Sequence, residues 1–151
     1  MDDLDEQAIR EKAKQDGITH LSTGVAIVRD GKILMVRRAK DDFLGGNFEL
    51  PGGGVDEGES IQESALREIT EETGLVASKV LATFEGFDYS TDKKPRVRQT
   101  NFIVAVEPGE VALSAEHDDF MWVDGVILDG VQTTGPMRTC VRNALAKLQS
   151  T

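Results

Sequence analysis

Hydrophobic positions along the chain fall into short β-rich runs separated by helical stripes and polar turns. Residues 4–17, LDEQAIREKAKQDG, predict a short amphipathic helix with Leu4, Ala8 and Ile9 as its apolar stripe and Gly17 as its stop. Residues 20–38, HLSTGVAIVRDGKILMVRR, are two β-rich segments joined by Asp30-Gly31, the strongest short hairpin signal. The segment NFELPGGGVDEGE begins as a strand and becomes a glycine-rich loop, after which residues 61–73 read as a helix. KVLATFEGFDYS and RQTNFIVAVE predict further strands with the polar TDKKPRV between them. DFMWVD predicts a short strand and MRTCVRNALAKL a closing amphipathic helix. Strands interleaved with three helices predict a layered α/β or α+β domain. It is expected to be a single domain over residues 1–151, since neither repeat nor linker interrupts it.

One helix breaks its own rules. Ser60 and Glu63 form a conventional capping box at its start. At about 100° per residue, Ile61, Ala65, Leu66 and Ile69 form its apolar stripe. Glu72 falls inside the margin of that stripe, Glu68 beside it and Glu71 further round. Glu68 lies three and four residues from the other two, and each like-charge pair costs about 0.2–0.5 kcal/mol. The helix C-terminus, itself partly negative, disfavours carboxylates by about 0.3–1 kcal/mol each. One acid is therefore aimed where apolar surface should be buried, and a buried carboxylate loses its charge or finds a cation. A solvated acidic face with Arg67 as counter-ion is the plainer reading. A divalent cation resolves the conflict more completely: three clustered carboxylates present the hard oxygen donors that suit Mg²⁺ or Mn²⁺.

Composition narrows the partners. Of 151 residues, 39% are hydrophobic and 29% charged, ordinary for a soluble globular chain, with enough length for a real core. The net charge of −10 argues against general nucleic-acid or anionic-membrane binding. A phosphate ester then needs a local cation or metal. Cys140 is the only cysteine, which excludes an internal disulfide and suits a reducing, cytoplasmic setting; it reads as a small buried apolar residue of the last helix. The acidic N-terminus lacks the pattern of a signal peptide, and no apolar run approaches a membrane span.

The glycine-rich loop LPGGGVDEGES joins strand to acidic helix and lets the backbone approach a bound group, although it lacks the Gly-Lys-Ser/Thr ending of a P-loop. Gly53, Glu59, Arg67, Glu68, Ile69, Glu71, Glu72, Gly74 and Leu75 fill every fixed position of G-x5-E-x7-R-E-U-x-E-E-x-G-U, where U is a bulky aliphatic residue. On this 23-residue box the chain resembles the Nudix hydrolases, the MutT-like nucleoside diphosphate-X pyrophosphohydrolases. NFELPGG is similar to the family's lead-in, with Phe48 where tryptophan is common.

The resemblance implies an α/β/α sandwich around a mixed sheet and hydrolysis of a P–O–P bridge with divalent metal and water. It implies Glu68, Glu71 and Glu72 as metal ligands with the Gly53 carbonyl beside them, and Glu59 and Arg67 as an orienting ion pair. The general base in the family is a box glutamate or one from a later loop; Glu116 is the later-loop candidate, with Glu107 and Glu110 behind it, unless Glu116 is merely an exposed loop acid. His117 reads as a surface or packing histidine rather than a catalyst. Positive charge for the substrate is expected from Arg37 and Arg38, or from Lys93, Lys94, Arg96 and Arg98, unless that second group is only a solvated loop. Phe48, Phe87, Tyr89 and Trp122 are candidates for stacking on a base, though each also suits simple packing. A nucleoside triphosphate and a nucleotide sugar are both open as substrates, and the family's frequent dimers leave a homodimer open too. Two rivals are weaker. A non-catalytic nucleotide sensor usually has an eroded box or an added DNA-binding domain, and isomerase chemistry on an allylic diphosphate needs a cysteine near a strand, which Cys140 is not.

Overall fold

Asp30 and Gly31 both adopt positive φ, 53° and 75°, in a two-residue turn that pairs Val28 with Ile33 and Arg29 with Lys32. Such a turn matches the twist of the strands it joins. The hairpin of β1 (His20–Arg29) and β2 (Lys32–Arg38) therefore forms where the sequence places it. The computed structural model describes residues 5–150.

The rest of the sheet grows outward from this hairpin. β2 carries the two-residue β3 (Phe48–Glu49) and β7 (His117–Val123), both antiparallel to it. β4 (Gly52–Gly54) pairs with the start of β1, so the triple glycine is a short strand rather than wholly a loop. β1 runs parallel to β6 (Val97–Val106), which is antiparallel to β5 (Ala77–Tyr89). The sheet is mixed, with the order β3-β2-β1-β6-β5 along its main path.

Alternate residues of the central strands feed two cores. Val25, Ile27, Leu34, Val36, Phe102 and Val104 pack against Ile61, Ala65 and Ile69 of α2 (Ile61–Thr73), joined by Ile9 of α1 (Glu6–Gln15). Ala26, Ile33, Met35, Ile103 and Val123 face the other way, onto Cys140, Val141 and Ala144 of α4 (Gly135–Gln149) and Leu128 of α3 (Gly125–Leu128). Each fully buried large aliphatic contributes about 1.5–3 kcal/mol. The result is the expected α/β/α sandwich, with helices on both faces of a mixed sheet.

Three details differ from the sequence reading, and for Trp122 the structure decides between two roles that reading left open. α3 is an additional short helix, started by the Asp124 side chain accepting from the Ile127 N–H at 2.8 Å; its four residues are too few to show a periodic stripe. In α1 the buried residue is Ala13, while Ala8 is exposed; Leu4 lies outside the described residues. Trp122 packs beneath the Arg29 guanidinium, 5.1 Å from the ring centre, as a packing residue of the α2-side core. Lys93–Pro95 form no strand, but β6 begins one residue early, at Val97. No helix among the described residues is long and apolar enough to cross a membrane.

Local chemistry fixes α2 at both ends. Ser60 accepts from the Glu63 N–H and Glu63 returns the bond to the Ser60 N–H, completing the capping box. Glu6 of α1 also accepts from the Ile61 N–H, placing a carboxylate at the positive end of α2. Arg10 donates to the Glu59 carbonyl at 3.0 Å, so α1 is clamped to the start of α2. Gly74 closes the helix in the left-handed conformation.

Candidate active site

The last two turns of α2 carry the conflict seen in the sequence into three dimensions. Glu72 is 5% exposed and Glu68 8% exposed, whereas Glu71 faces solvent. Glu68 and Glu72 lie within hydrogen-bond reach of each other. Burial pushes Glu72 up to about 9, and the charges of Glu68, Glu49 and Glu116 push in the same direction. A single N–H bond from Gly52 to Glu72 Oε2, 3.1 Å, works against this. Burial raises Glu68 as well, opposed by Arg67.

Arg67 binds the acids into one frame. Its Nε and Nη2 grip both oxygens of Glu59 at 2.7 and 3.0 Å, a bidentate pair. Its Nη1 donates to Glu68 Oε1 at 3.0 Å and to Glu71 Oε2 at 2.9 Å, while Nη2 reaches the Gly54 carbonyl at 3.2 Å. The Arg67 guanidinium draws Glu59 down to about 2, and Glu59 in turn strengthens the charge on Arg67. One arginine thus spans both the loop and the helix.

Gly53 sits against this frame. A Cβ at Gly53 would lie 2.4 Å from Glu68 Oε1, so only a glycine lets the main chain come this close to the acid. Its carbonyl oxygen lies opposite Thr23 in the β1–β4 ladder, with Thr23 Oγ1 3.5 Å away, and a carbonyl oxygen has a second lone pair for a further partner. Two mutually repelling buried carboxylates, only one of them held by an arginine, with a backbone carbonyl beside them, form an all-oxygen donor set that fits a hard divalent cation. Glu68, Glu71, Glu72 and the Gly53 carbonyl are the atoms that would hold it.

The opposite wall comes from β3, β7 and the loop before β7. The ligand-type atoms of Glu72, Glu116 and His117 all lie within 4.8 Å of one another. Glu116 is exposed and His117 buried. His117 Nε2 is 2.9 Å from Glu49 Oε2, and Arg38 Nε donates to Glu49 Oε1 at 2.9 Å. Glu49 and His117 were not singled out as site residues in the sequence. The signal for Glu49 is its place between buried Phe48 and Leu50, since strand alternation turns it to the α2 side. His117 carries no comparable mark: it packs as expected, yet it packs into the acid cluster. Glu107 and Glu110 are not part of this group.

A cavity of about 800 Å³ opens beside Glu49. Arg38, Lys93 and Lys94 line it together with Phe48, Phe87 and Tyr89. The six basic candidates therefore part company. Arg98 is held by Asp88 and Asp16, at 2.8 and 2.9 Å, toward α1. Arg96 lies against Gly17. Arg37 is tied to Asp118 at 2.7 Å and Asp119 at 3.8 Å. Arg38 is shared between Glu49 and Asp42. Among the described residues neither Lys93 nor Lys94 is held by an ion pair, and both are exposed at the cavity rim. Cys140 accepts a bond from Asn101 in the core on the far side of the sheet, where burial pushes its thiol up to about 12, a state without nucleophilic character.

Residues 18–126 match the NUDIX domain, over two thirds of the chain. The chain is 41% identical over 87 residues to an ADP-ribose pyrophosphatase of Methanocaldococcus jannaschii, covering 56% of this chain and 50% of that protein. It is 42% identical over 67 residues to an RNA pyrophosphohydrolase of Gluconobacter oxydans, covering 44% and 38%. The chain thus spans half or less of the length of these two curated relatives. A MutT NUDIX hydrolase from Burkholderia pseudomallei has a similar structure, with a TM-score of 0.69 and 26% identity over 82% of this chain and 96% of that one.

Proposed function

Because this chain belongs to the Nudix family, we propose that it hydrolyses the pyrophosphate bond of a nucleoside diphosphate linked to a further group X, with Mg²⁺ or Mn²⁺ as cofactor. The observation that carries the reading is the buried Glu68–Glu72 pair, both acids displaced upward by burial, of which Arg67 holds Glu68 alone. A divalent cation bound there supplies neutralising charge for the anhydride oxygens and acidifies water.

The chain's own groups do the rest. Glu68, Glu71, Glu72 and the Gly53 carbonyl hold the cation, and Arg67 with Glu59 keeps those acids in register. Glu116, exposed and adjacent to Glu72, takes the proton from the attacking water as its oxygen bonds to phosphorus and the bridging P–O bond breaks. General-base catalysis of this kind contributes about 10²–10⁴-fold. Lys93 and Lys94 steady the phosphates at the cavity rim, and the apolar faces of Phe48, Phe87 and Tyr89 receive the base. The names of the two relatives, one for ADP-ribose and one for RNA, support reading X broadly.

The test is a panel of nucleoside triphosphates, nucleotide sugars, dinucleoside polyphosphates and a 5′-triphosphorylated RNA, each with Mg²⁺ or Mn²⁺ and with chelator. Metal-dependent cleavage at a P–O–P bridge is the expected result; no cleavage of any member refutes the reading. Two variants probe the assignments. Replacing Lys93 and Lys94 together with alanine is expected to raise KM about tenfold, equivalent to about 1.4 kcal/mol, with kcat nearly unchanged. An unchanged KM returns both lysines to solvent. In Gly53→Ala the new methyl group displaces the Glu68 carboxylate, and a misplacement on the scale of 1 Å costs about 100-fold in turnover. The clash is with a movable side-chain end, so its thermal midpoint should stay within a few degrees of wild type.

A further inference from the structure

His117 is the least explained group of the site. Its side chain is 2% exposed, and Nδ1 is the one buried side-chain nitrogen or oxygen among the described residues without a hydrogen-bond partner. An orphaned buried ring nitrogen is costly and calls for a ligand. The other ring nitrogen is anchored: Nε2 meets Glu49 Oε2 at 2.9 Å, and Arg38 holds Glu49 from its far oxygen at 2.9 Å. A carboxylate accepting from Nε2 keeps the proton on that nitrogen and leaves a lone pair on Nδ1. This carboxylate–imidazole arrangement is the one found behind histidines that bind metals. Glu72 and Glu116 supply oxygen atoms within 4.8 Å of a ring nitrogen of His117, a spacing that a single ion can draw together.

We propose that His117 joins Glu72 and Glu116, through Nδ1, as the nitrogen ligand of a second, mixed-donor cation site that selects a borderline transition-metal ion over Mg²⁺. The proposal rests on the reading above only in sharing Glu72 with the box. Imidazole suits Zn²⁺, Co²⁺ and similar ions, whereas Mg²⁺ prefers an all-oxygen shell such as Glu68, Glu71 and the Gly53 carbonyl provide. Glu116 ligates through one oxygen, and the other remains available to accept a proton. The two sites therefore differ in chemistry although they touch: one hard and built on α2 and the loop, the other softer and built across to β7. Arg38 and Glu49 belong to the second as supports, holding the ring at the angle that keeps Nδ1 free.

The experiment uses the metal-free protein and reads binding directly. In two-bond ¹H–¹⁵N imidazole spectra, Zn²⁺ is expected to move the His117 Nδ1 resonance to a metal-ligated position while Nε2 keeps its proton. Co²⁺ is expected to give visible absorption of a nitrogen-containing site. His117→Gln, which keeps an amide donor for Glu49, should weaken Zn²⁺ and Co²⁺ by more than the ~100-fold that loss of a supporting group can cost, with Mg²⁺ affinity within about twofold of wild type. An Nδ1 resonance unmoved at saturating Zn²⁺ overturns the proposal, as does equal Zn²⁺ affinity in His117→Gln. The wild-type spectrum decides the question even where the variant folds poorly. Glu71→Gln separates this proposal from the reading of the box, since Glu71 is exposed and outside the trio. It should weaken Mg²⁺ and leave the Zn²⁺-induced shift of His117 intact. Unaltered Mg²⁺ binding in that variant counts against the box and leaves His117 standing.

Discussion

Glu72→Gln is expected to lose more than about 100-fold of the metal-dependent anhydride hydrolysis and, without metal, to melt above the wild type at alkaline pH. The loss exceeds the ~10–100-fold typical of changing a group that merely supports a metal ligand, because Glu72 is proposed as a ligand itself. The gain in stability follows from burial. The Glu72 carboxyl titrates at about 9 in the folded protein against 4.5 as its reference value, so the folded state holds a proton that the unfolded state releases. Its stabilising contribution is complete below about pH 4.5 and is lost as pH rises through about 9. Glutamine mimics the protonated acid and still accepts from the Gly52 N–H, so it carries no such slope. Thermal midpoints with chelator at pH 5 and pH 8.5 should therefore diverge, the variant gaining on wild type as pH rises. Added Mg²⁺ should raise the wild-type midpoint by mass action and leave that of the variant nearly still. Parallel pH slopes would remove the strain assigned to this carboxyl; normal turnover would remove it from the metal site.

Arg67→Ala is expected to do the opposite to stability and the same to activity. It leaves Glu59 and Glu68, both mostly buried, without their cation. Removing one partner of a fully buried pair costs about 3–5 kcal/mol. With Arg67 27% exposed, solvent recovers part of this, and about 2–3 kcal/mol is expected. For a chain of this size that lowers the midpoint by about 5–10 °C. The pH dependence runs from the other side. Arg67 draws Glu59 down to about 2, so the contribution of Glu59 is present above about pH 4.5 and is lost as pH falls through about 2. The gap between variant and wild type should thus narrow in acid. Arg67→Lys keeps the charge but loses the bidentate fork, and an intermediate midpoint separates charge from geometry. Turnover in Arg67→Ala should fall because Glu68 and Glu71 lose the group that aligns them. A wild-type midpoint together with wild-type turnover would show that the frame does not depend on this arginine.

Much of the site was legible along the chain because it is local. The box lies within 23 consecutive residues, and helical periodicity alone turned Glu72 and Glu68 toward the core and Glu71 outward, as observed. The capping box, the Gly74 stop and the Asp30-Gly31 turn are equally local, each set by backbone groups a few residues apart. Spacing cannot tell which cations are free. Arg98 and Lys93 stand five residues apart in one basic stretch, yet Arg98 is committed to Asp16, 82 positions away, and Lys93 reaches the cavity. Trp122 and Phe48 looked alike as stacking candidates until the sheet put one under Arg29 and the other on the cavity wall.

By itself, the sequence determined the alternation that builds two cores on one sheet, the self-repelling acids of α2 and the glycine loop that approaches them. These are decided by contacts within a turn or two, where the chain's own geometry leaves few choices. The tertiary structure alone decided that β3 and β7, 68 positions apart at Glu49 and His117, meet beside Glu72 and turn an ordinary-looking histidine toward the acids. Strand pairing across β2 makes that meeting, and its hydrogen bonds depend on fold rather than on neighbouring residues.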